Sequence, residues 1–152
     1  MAFVRHHQLI AGLSLAIFLS PAFAGTYDSV VYGPDPNESG SAIAYDVTNK
    51  FTAEFPHRKW QIFLYNDAGV TGNGAGFCYA IAGVVPRGSG EFPLRRFTYY
   101  QYFPSDGPTS ASMLTVEADV CGTQAVKDMM KTLANGGRIY VPKETVFGRA
   151  TK

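Results

Sequence analysis

Histidine, cysteine and charge are all scarce in this chain. Its 152 residues include three histidines and two cysteines, and only 16% are Asp, Glu, Lys or Arg. His6 and His7 lie near the N-terminus, so the remainder of the chain has a single imidazole, His57. Zinc sites and histidine-based catalytic centres combine several ligands or partner groups. The sequence therefore predicts no metal site and no cofactor.

The first 24 residues have the pattern of a secretory signal peptide. Arg5 precedes an apolar run over residues 9–18, Pro21 breaks the run, and residues 22–24 (Ala-Phe-Ala) form a small-x-small cleavage site. A membrane-spanning helix needs about 20 apolar residues, and neither this run nor any later one is that long. We therefore expect cleavage after Ala24 and export of residues 25–152 as one globular domain, into a periplasm or out of the cell.

The exported part has no net charge. Arg5 is the only charged residue before Gly25, so the 12 other basic residues balance the 12 acidic ones. Nucleic-acid-binding domains usually carry a basic excess on one face. The charge balance therefore does not favour a nucleic acid as the partner, and the expected partner is a protein.

Cys78 and Cys121 are predicted to form a structural disulfide. They are the only cysteines, and an oxidising compartment favours a bridge between such a pair. The alternative is a nucleophilic thiol, which would need His57 as its base.

The patterns predict an α+β fold. Sixteen glycines and nine prolines divide the chain into short segments, which suits strands and tight turns. We expect an antiparallel sheet of about five or six strands, with two helices packed on one face. The predicted strands are 27–32, 60–65, 77–85, 94–103, 112–120 and 138–141, and the predicted helices are 41–55 and 123–134. Strand-like alternation at Ile43, Tyr45 and Val47 leaves the first helix open to a strand interpretation.

A polar cluster lies where the first helix is predicted to end. Glu54, His57 and Arg58 are close together in the sequence. In a small secreted ribonuclease, His57 would act as acid, Glu54 as base, and Arg58 would hold a phosphate. The same residues also fit an ordinary solvated turn.

The aromatic strand over 94–103 offers a possible interaction surface. Alternation places Arg96, Tyr100 and Tyr102 on one side and Phe97, Tyr99 and Phe103 on the other. Tyrosine and arginine are enriched at protein interfaces. We therefore take Arg96, Tyr100 and Tyr102 as the candidate binding residues.

Together these features favour an exported, non-catalytic binding protein. Its most concrete form is an inhibitor or immunity-type protein that occludes a hydrolase directed at the cell envelope. Two alternatives remain open: a small secreted hydrolase that uses His57, Glu54 and Arg58, and a secreted virulence or surface-associated factor.

Overall fold

The computed structural model describes residues 25–104 and 110–142. The predicted signal peptide lies outside the described residues. The described part contains strands β1 (Ser29–Tyr32), β2 (Trp60–Val70), β3 (Gly76–Pro86) and β4 (Phe97–Phe103), helices α1 (Pro36–Ala42), α2 (Asn49–Glu54) and α3 (Ala111–Ala134), and a 3₁₀ turn at Ile43–Tyr45.

The four strands form one mixed sheet in the order β1-β2-β3-β4. β1 runs parallel to β2, whereas β2, β3 and β4 pair antiparallel. A short loop joins β2 to β3, and Gly74 provides the positive φ of 85° that this turn needs. The predicted α+β fold is confirmed, but the expected five or six antiparallel strands are wrong: the described residues form four strands, one of them parallel.

The segment 112–120 is helical, although its alternation predicts a strand. Ser110 caps α3, because its hydroxyl accepts the Met113 N–H, and the helix continues without a break to Ala134. Its buried positions recur every three or four residues, as a helix packed on a core requires. Ala118 is therefore buried, while Val116 and Val120, which the alternation places in the core with it, are exposed.

Residues 138–141 also form no strand, and Ile139 enters the core from an irregular segment.

The predicted helix over 41–55 is divided, although its apolar stripe is correct. Ile43, Val47, Phe51 and Phe55 are all buried, as the four-residue spacing predicts. The chain nevertheless leaves the helical conformation at Thr48, which is extended and caps α2 by accepting the Phe51 N–H. Local side-chain bonding of this kind competes with a continuous helix.

The core lies between one face of the sheet and the helices. α3 presents Ala118, Cys121, Ala125 and Met129 to the even-numbered side chains of β2 and β3. The predicted Cys78–Cys121 disulfide is confirmed, and it joins β3 to α3 with 6.0 Å between the two Cα atoms. The helices leave the opposite face of the sheet open.

Candidate functional site

The side of the sheet away from α3 is rich in tyrosine, and we call it the open face. Strand alternation places Tyr65 and Asp67 of β2, Phe77 and Tyr79 of β3, and Thr98, Tyr100 and Tyr102 of β4 on this side. Tyr100 and Tyr102 are 48% and 62% exposed. The side of β4 that carries Tyr100 and Tyr102 is therefore accessible to solvent.

The strand register aligns the open face into rows. Asp67 lies opposite Tyr79, and Tyr79 lies opposite Tyr100, so one row crosses three strands. In the next row Phe77 pairs with Tyr102 and, on its other side, with Gly69. A Cβ on Gly69 would lie 3.0 Å from the Phe77 ring, so the absence of a side chain lets that ring approach the backbone of β2 closely. The result is a broad aromatic surface.

Two tyrosines of the open face, Tyr65 and Tyr100, have raised pKa values. Partial desolvation, followed by the neighbouring Tyr102 phenol, raises the pKa of Tyr100 to about 12. Desolvation and the nearby Asp67 carboxylate also raise the pKa of Tyr65, whose hydroxyl lies 3.4 Å from Asp67 Oδ2. A phenol that keeps its proton can both donate and accept a hydrogen bond. At neutral pH the open face therefore offers uncharged rings with polar hydroxyl ends.

A connecting loop covers one end of the open face. Phe92 packs edge-on against Phe63 with ring centroids 4.8 Å apart, and Pro93 fills the space above Gly83. The Arg96 guanidinium lies 5.2 Å from the centroid of the Phe92 ring. Arg96 is thus placed on the same side of the sheet as Tyr100 and Tyr102.

An aromatic groove separates this loop from β1. Its volume is about 330 Å³, and it is lined by Tyr32, Phe63, Tyr65, Gly90 and Phe92. Apart from the glycine, every lining residue carries a ring. The groove is large enough to accept an apolar side chain of a partner, and it lies at the β1–β2 end of the open face.

The sequence reasoning missed the contribution of β2 and β3 to this surface. Tyr65, Phe77 and Tyr79 fall in strands that the sequence predicts, yet their shared side depends on a pairing register that periodicity does not define. Phe92 lies in a turn-rich segment with no periodic pattern. The alternation of side chains along one strand is enough to group Phe77 with Tyr79. Grouping them with Tyr100 also needs the pairing between β3 and β4.

The predicted hydrolase residues lie where α2 ends: Glu54 is the last residue of α2, and His57 and Arg58 are on the turn that leads to β2. Glu54 and Arg58 are exposed and His57 is half-buried. Among the described residues, no hydrogen bond or salt bridge joins any two of them. Trp60, two residues after Arg58, packs edge-on against Phe55 and Tyr140. The ring centroids are 5.7 Å and 4.5 Å away, respectively. The turn is therefore anchored by its aromatic neighbour rather than by the polar cluster.

A second polar group, absent from the sequence predictions, is buried on the helix side of the sheet. Asn66 Nδ2 donates to Ser39 Oγ and to Asp119 Oδ1, each at 3.1 Å, and the Ser39 hydroxyl also donates to Asp119 Oδ1. Ser39 and Asn66 are fully buried. A Cβ on Gly33 would lie only 2.0 Å from Asn66 Oδ1, so the chain must have glycine there. These contacts join α1, β2, α3 and the loop after β1, which makes the cluster structural.

Two further findings concern the described part of the chain. It has no group of three or more His, Cys, Asp and Glu side chains placed to hold a metal ion. None of its helices has both the length and the hydropathy needed to cross a membrane.

No protein-family model, curated protein sequence or solved structure significantly matches the chain.

Proposed function

We propose that this is an exported binding protein, without catalytic activity, that recognises a protein partner through the open face. The observation that carries the proposal is the exposure of Tyr100 and Tyr102 on a sheet face that no described helix covers. Contiguous exposed aromatic surface on a globular domain is typical of an interaction site. Tyrosine is also among the residues most enriched at the energetic centres of interfaces.

The charge of the open face supports a protein partner with an uncharged contact surface. Asp67 and Arg96 provide one charge of each sign, and the raised pKa of Tyr100 keeps its phenol neutral. Such a surface lacks the cations that phosphate recognition requires. The groove beside Phe92 would hold an apolar side chain of the partner, and the tyrosine hydroxyls would satisfy polar groups around it.

The proposal can be tested by measuring how tyrosine truncation affects affinity. The protein is used as bait in a cell-envelope extract, a captured protein is purified, and its Kd is measured for the unmodified chain and for the double variant Tyr100→Ala, Tyr102→Ala. We expect at least about a 30-fold loss of affinity, because truncating a central aromatic residue costs about 2 kcal/mol or more.

Tyr45 provides a matched control for this measurement. It is 95% exposed and belongs to the 3₁₀ turn rather than to the open face. Tyr45→Ala removes the same side chain and should leave the Kd unchanged. Equal losses in the Tyr45 variant and the double variant, or no loss in either, would rule out recognition through the open face.

Inhibition of a hydrolase directed at the cell envelope is the specific form of binding that we propose to test first. A captured hydrolase should lose activity when the protein is added, and the double tyrosine variant should inhibit it less.

Export is tested by N-terminal sequencing of the protein recovered from cells, because cleavage at the expected site makes Gly25 the first residue. Recovery from the culture medium rather than the periplasm would favour a secreted virulence or surface-associated factor.

The ribonuclease hypothesis remains a prediction from the sequence. Its test is hydrolysis of RNA by the purified protein and loss of that activity in His57→Ala. Activity that depends on His57 would argue against the binding proposal.

A further inference from the structure

The outer edge of β4 has no partner in the described part of the chain. β4 is the last strand of the sheet, and its backbone pairs only with β3 among the described residues. An unpaired edge exposes a row of N–H and C=O groups that can pair with another strand. Proteins usually block such edges with charge, proline, a bulge or a covering element.

β4 has none of these protective residues. Its sequence over Phe97–Phe103, Phe-Thr-Tyr-Tyr-Gln-Tyr-Phe, contains no charged residue, no proline and no glycine. The opposite edge of the sheet differs, because β1 has only four residues and α1 packs beside it. There, Gly40 approaches Val31, and the Tyr27 hydroxyl donates to the Gly40 carbonyl. Among residues 25–104 and 110–142, therefore, nothing pairs with the outer edge of β4 along its length, whereas the β1 edge is short and flanked by α1.

We propose that β4 pairs antiparallel with β4 of a second copy of this chain, which forms a two-fold symmetric dimer with one continuous eight-stranded sheet. Full overlap of all seven residues requires Tyr100 at the two-fold axis. Phe97 then lies opposite Phe103 of the second copy, Thr98 opposite Tyr102, and Tyr99 opposite Gln101. No charged residue lies within this pairing.

The flanking charges select the antiparallel orientation. Arg95 and Arg96 immediately precede β4 and are both exposed. Parallel pairing would place the four guanidinium groups of two copies side by side, and like charges in that arrangement oppose pairing. Antiparallel pairing sends them to opposite ends of the interface.

The dimer would also extend the open face. A two-fold axis perpendicular to the sheet keeps both open faces on the same side, because residues directly opposite each other in an antiparallel pair point the same way. The row Asp67, Tyr79, Tyr100 would then continue into Tyr100, Tyr79 and Asp67 of the second copy. This inference stands independently of the proposed function, since it depends on the strand edge rather than on any partner.

The test uses the one residue that pairs with itself. Tyr100→Lys and Tyr100→Glu each place two like charges opposite each other at the axis. In sedimentation velocity, the unmodified protein should dimerise with rising concentration, and each variant alone should lose the dimer at the concentration where the unmodified protein is half dimeric. An equimolar mixture of the two variants should recover it as a heterodimer, because Lys then opposes Glu.

Three further measurements keep the result interpretable. Tyr45→Lys introduces the same charge at an exposed site outside the sheet and should leave dimerisation intact, and circular dichroism checks that every variant is folded. Amide exchange should slow at alternate residues of β4 as the concentration of the unmodified protein rises. A monomer at all concentrations, a dimer unaffected by either variant, or a mixture that stays monomeric would overturn the proposal.

The two proposals fail separately. A dimer that binds no envelope protein would leave the edge pairing intact, while an obligate monomer that binds a partner through Tyr102 would leave the proposed function intact. Pairing of β4 with a strand of a different protein would appear as a monomer that gains the amide protection only when that protein is added, and it would count against the dimer.

Discussion

Replacing Cys78 and Cys121 together by alanine is expected to lower the free energy of unfolding by about 4 kcal/mol. The bridge closes a loop with a sequence separation of 43 residues, and the chain-entropy relation gives about 4 kcal/mol for a loop of that length. Both cysteines are fully buried, so their loss also removes packed atoms from the contact between β3 and α3. Because a domain is typically stable by only about 5–15 kcal/mol, the double variant would be marginally folded at 37 °C.

Urea unfolding followed by circular dichroism measures this loss. The unmodified protein in a strong reducing agent is the matched control, since it lacks the bridge but keeps both side chains, and it should unfold near the midpoint of the double variant. Coincident unfolding curves for the oxidised protein and the double variant would show that the bridge adds no stability.

Asp119→Ala is expected to lower the free energy of unfolding by about 2–3 kcal/mol. The substitution removes the acceptor of two hydrogen bonds, one from Asn66 Nδ2 and one from the Ser39 hydroxyl. Both donors belong to buried residues, although Asp119 itself is half-buried. A buried donor left without a partner costs about 1–3 kcal/mol, and hydrogen bonds to charged groups lie toward the upper end of that range.

Glu117→Ala is the control for this substitution. Glu117 is two residues away on α3, is partly exposed, and makes no described hydrogen bond or ion pair. Glu117→Ala removes the same charge, and it gains less helix propensity than Asp119→Ala because glutamate is the better helix former. The free energy of unfolding of the Glu117 variant should change by no more than about 0.5 kcal/mol. If thermal unfolding shows equal shifts for the two variants, the cluster around Asn66 contributes no net stability.

The sequence predicted burial better than it predicted conformation. The stripe of Ile43, Val47, Phe51 and Phe55 was correct because burial requires only that these side chains reach the core. The division of the helix at Thr48 depends on one side-chain hydrogen bond, which the same stripe does not reveal.

The error over 112–120 has a different cause. Apolar residues at every second position are typical of a strand, but Ala118 also belongs to a helical series that continues through Cys121 and Ala125. A helix that starts at the Ser110 cap extends that series without interruption. Val116 and Val120 fall outside the buried side of this helix and are therefore exposed.

The candidate site was predicted in part for a similar reason. The exposed side of β4 follows from strand parity alone, so Tyr100 and Tyr102 were placed together correctly. Tyr65, Tyr79 and Phe92 join them only through pairing between strands and through a loop that folds back over the sheet. Long-range register of that kind is not contained in local periodicity.

The packing of Trp60 gives the protein an intrinsic fluorescence probe on the core side of the sheet. Trp60 is the only tryptophan in the chain, and it lies on the core side of β2 between Phe55 and Tyr140. Its fluorescence therefore reports the integrity of the junction between α2 and the sheet, on the side away from the open face. Selective excitation of the indole would follow unfolding at this one position, without a contribution from the tyrosines of the open face.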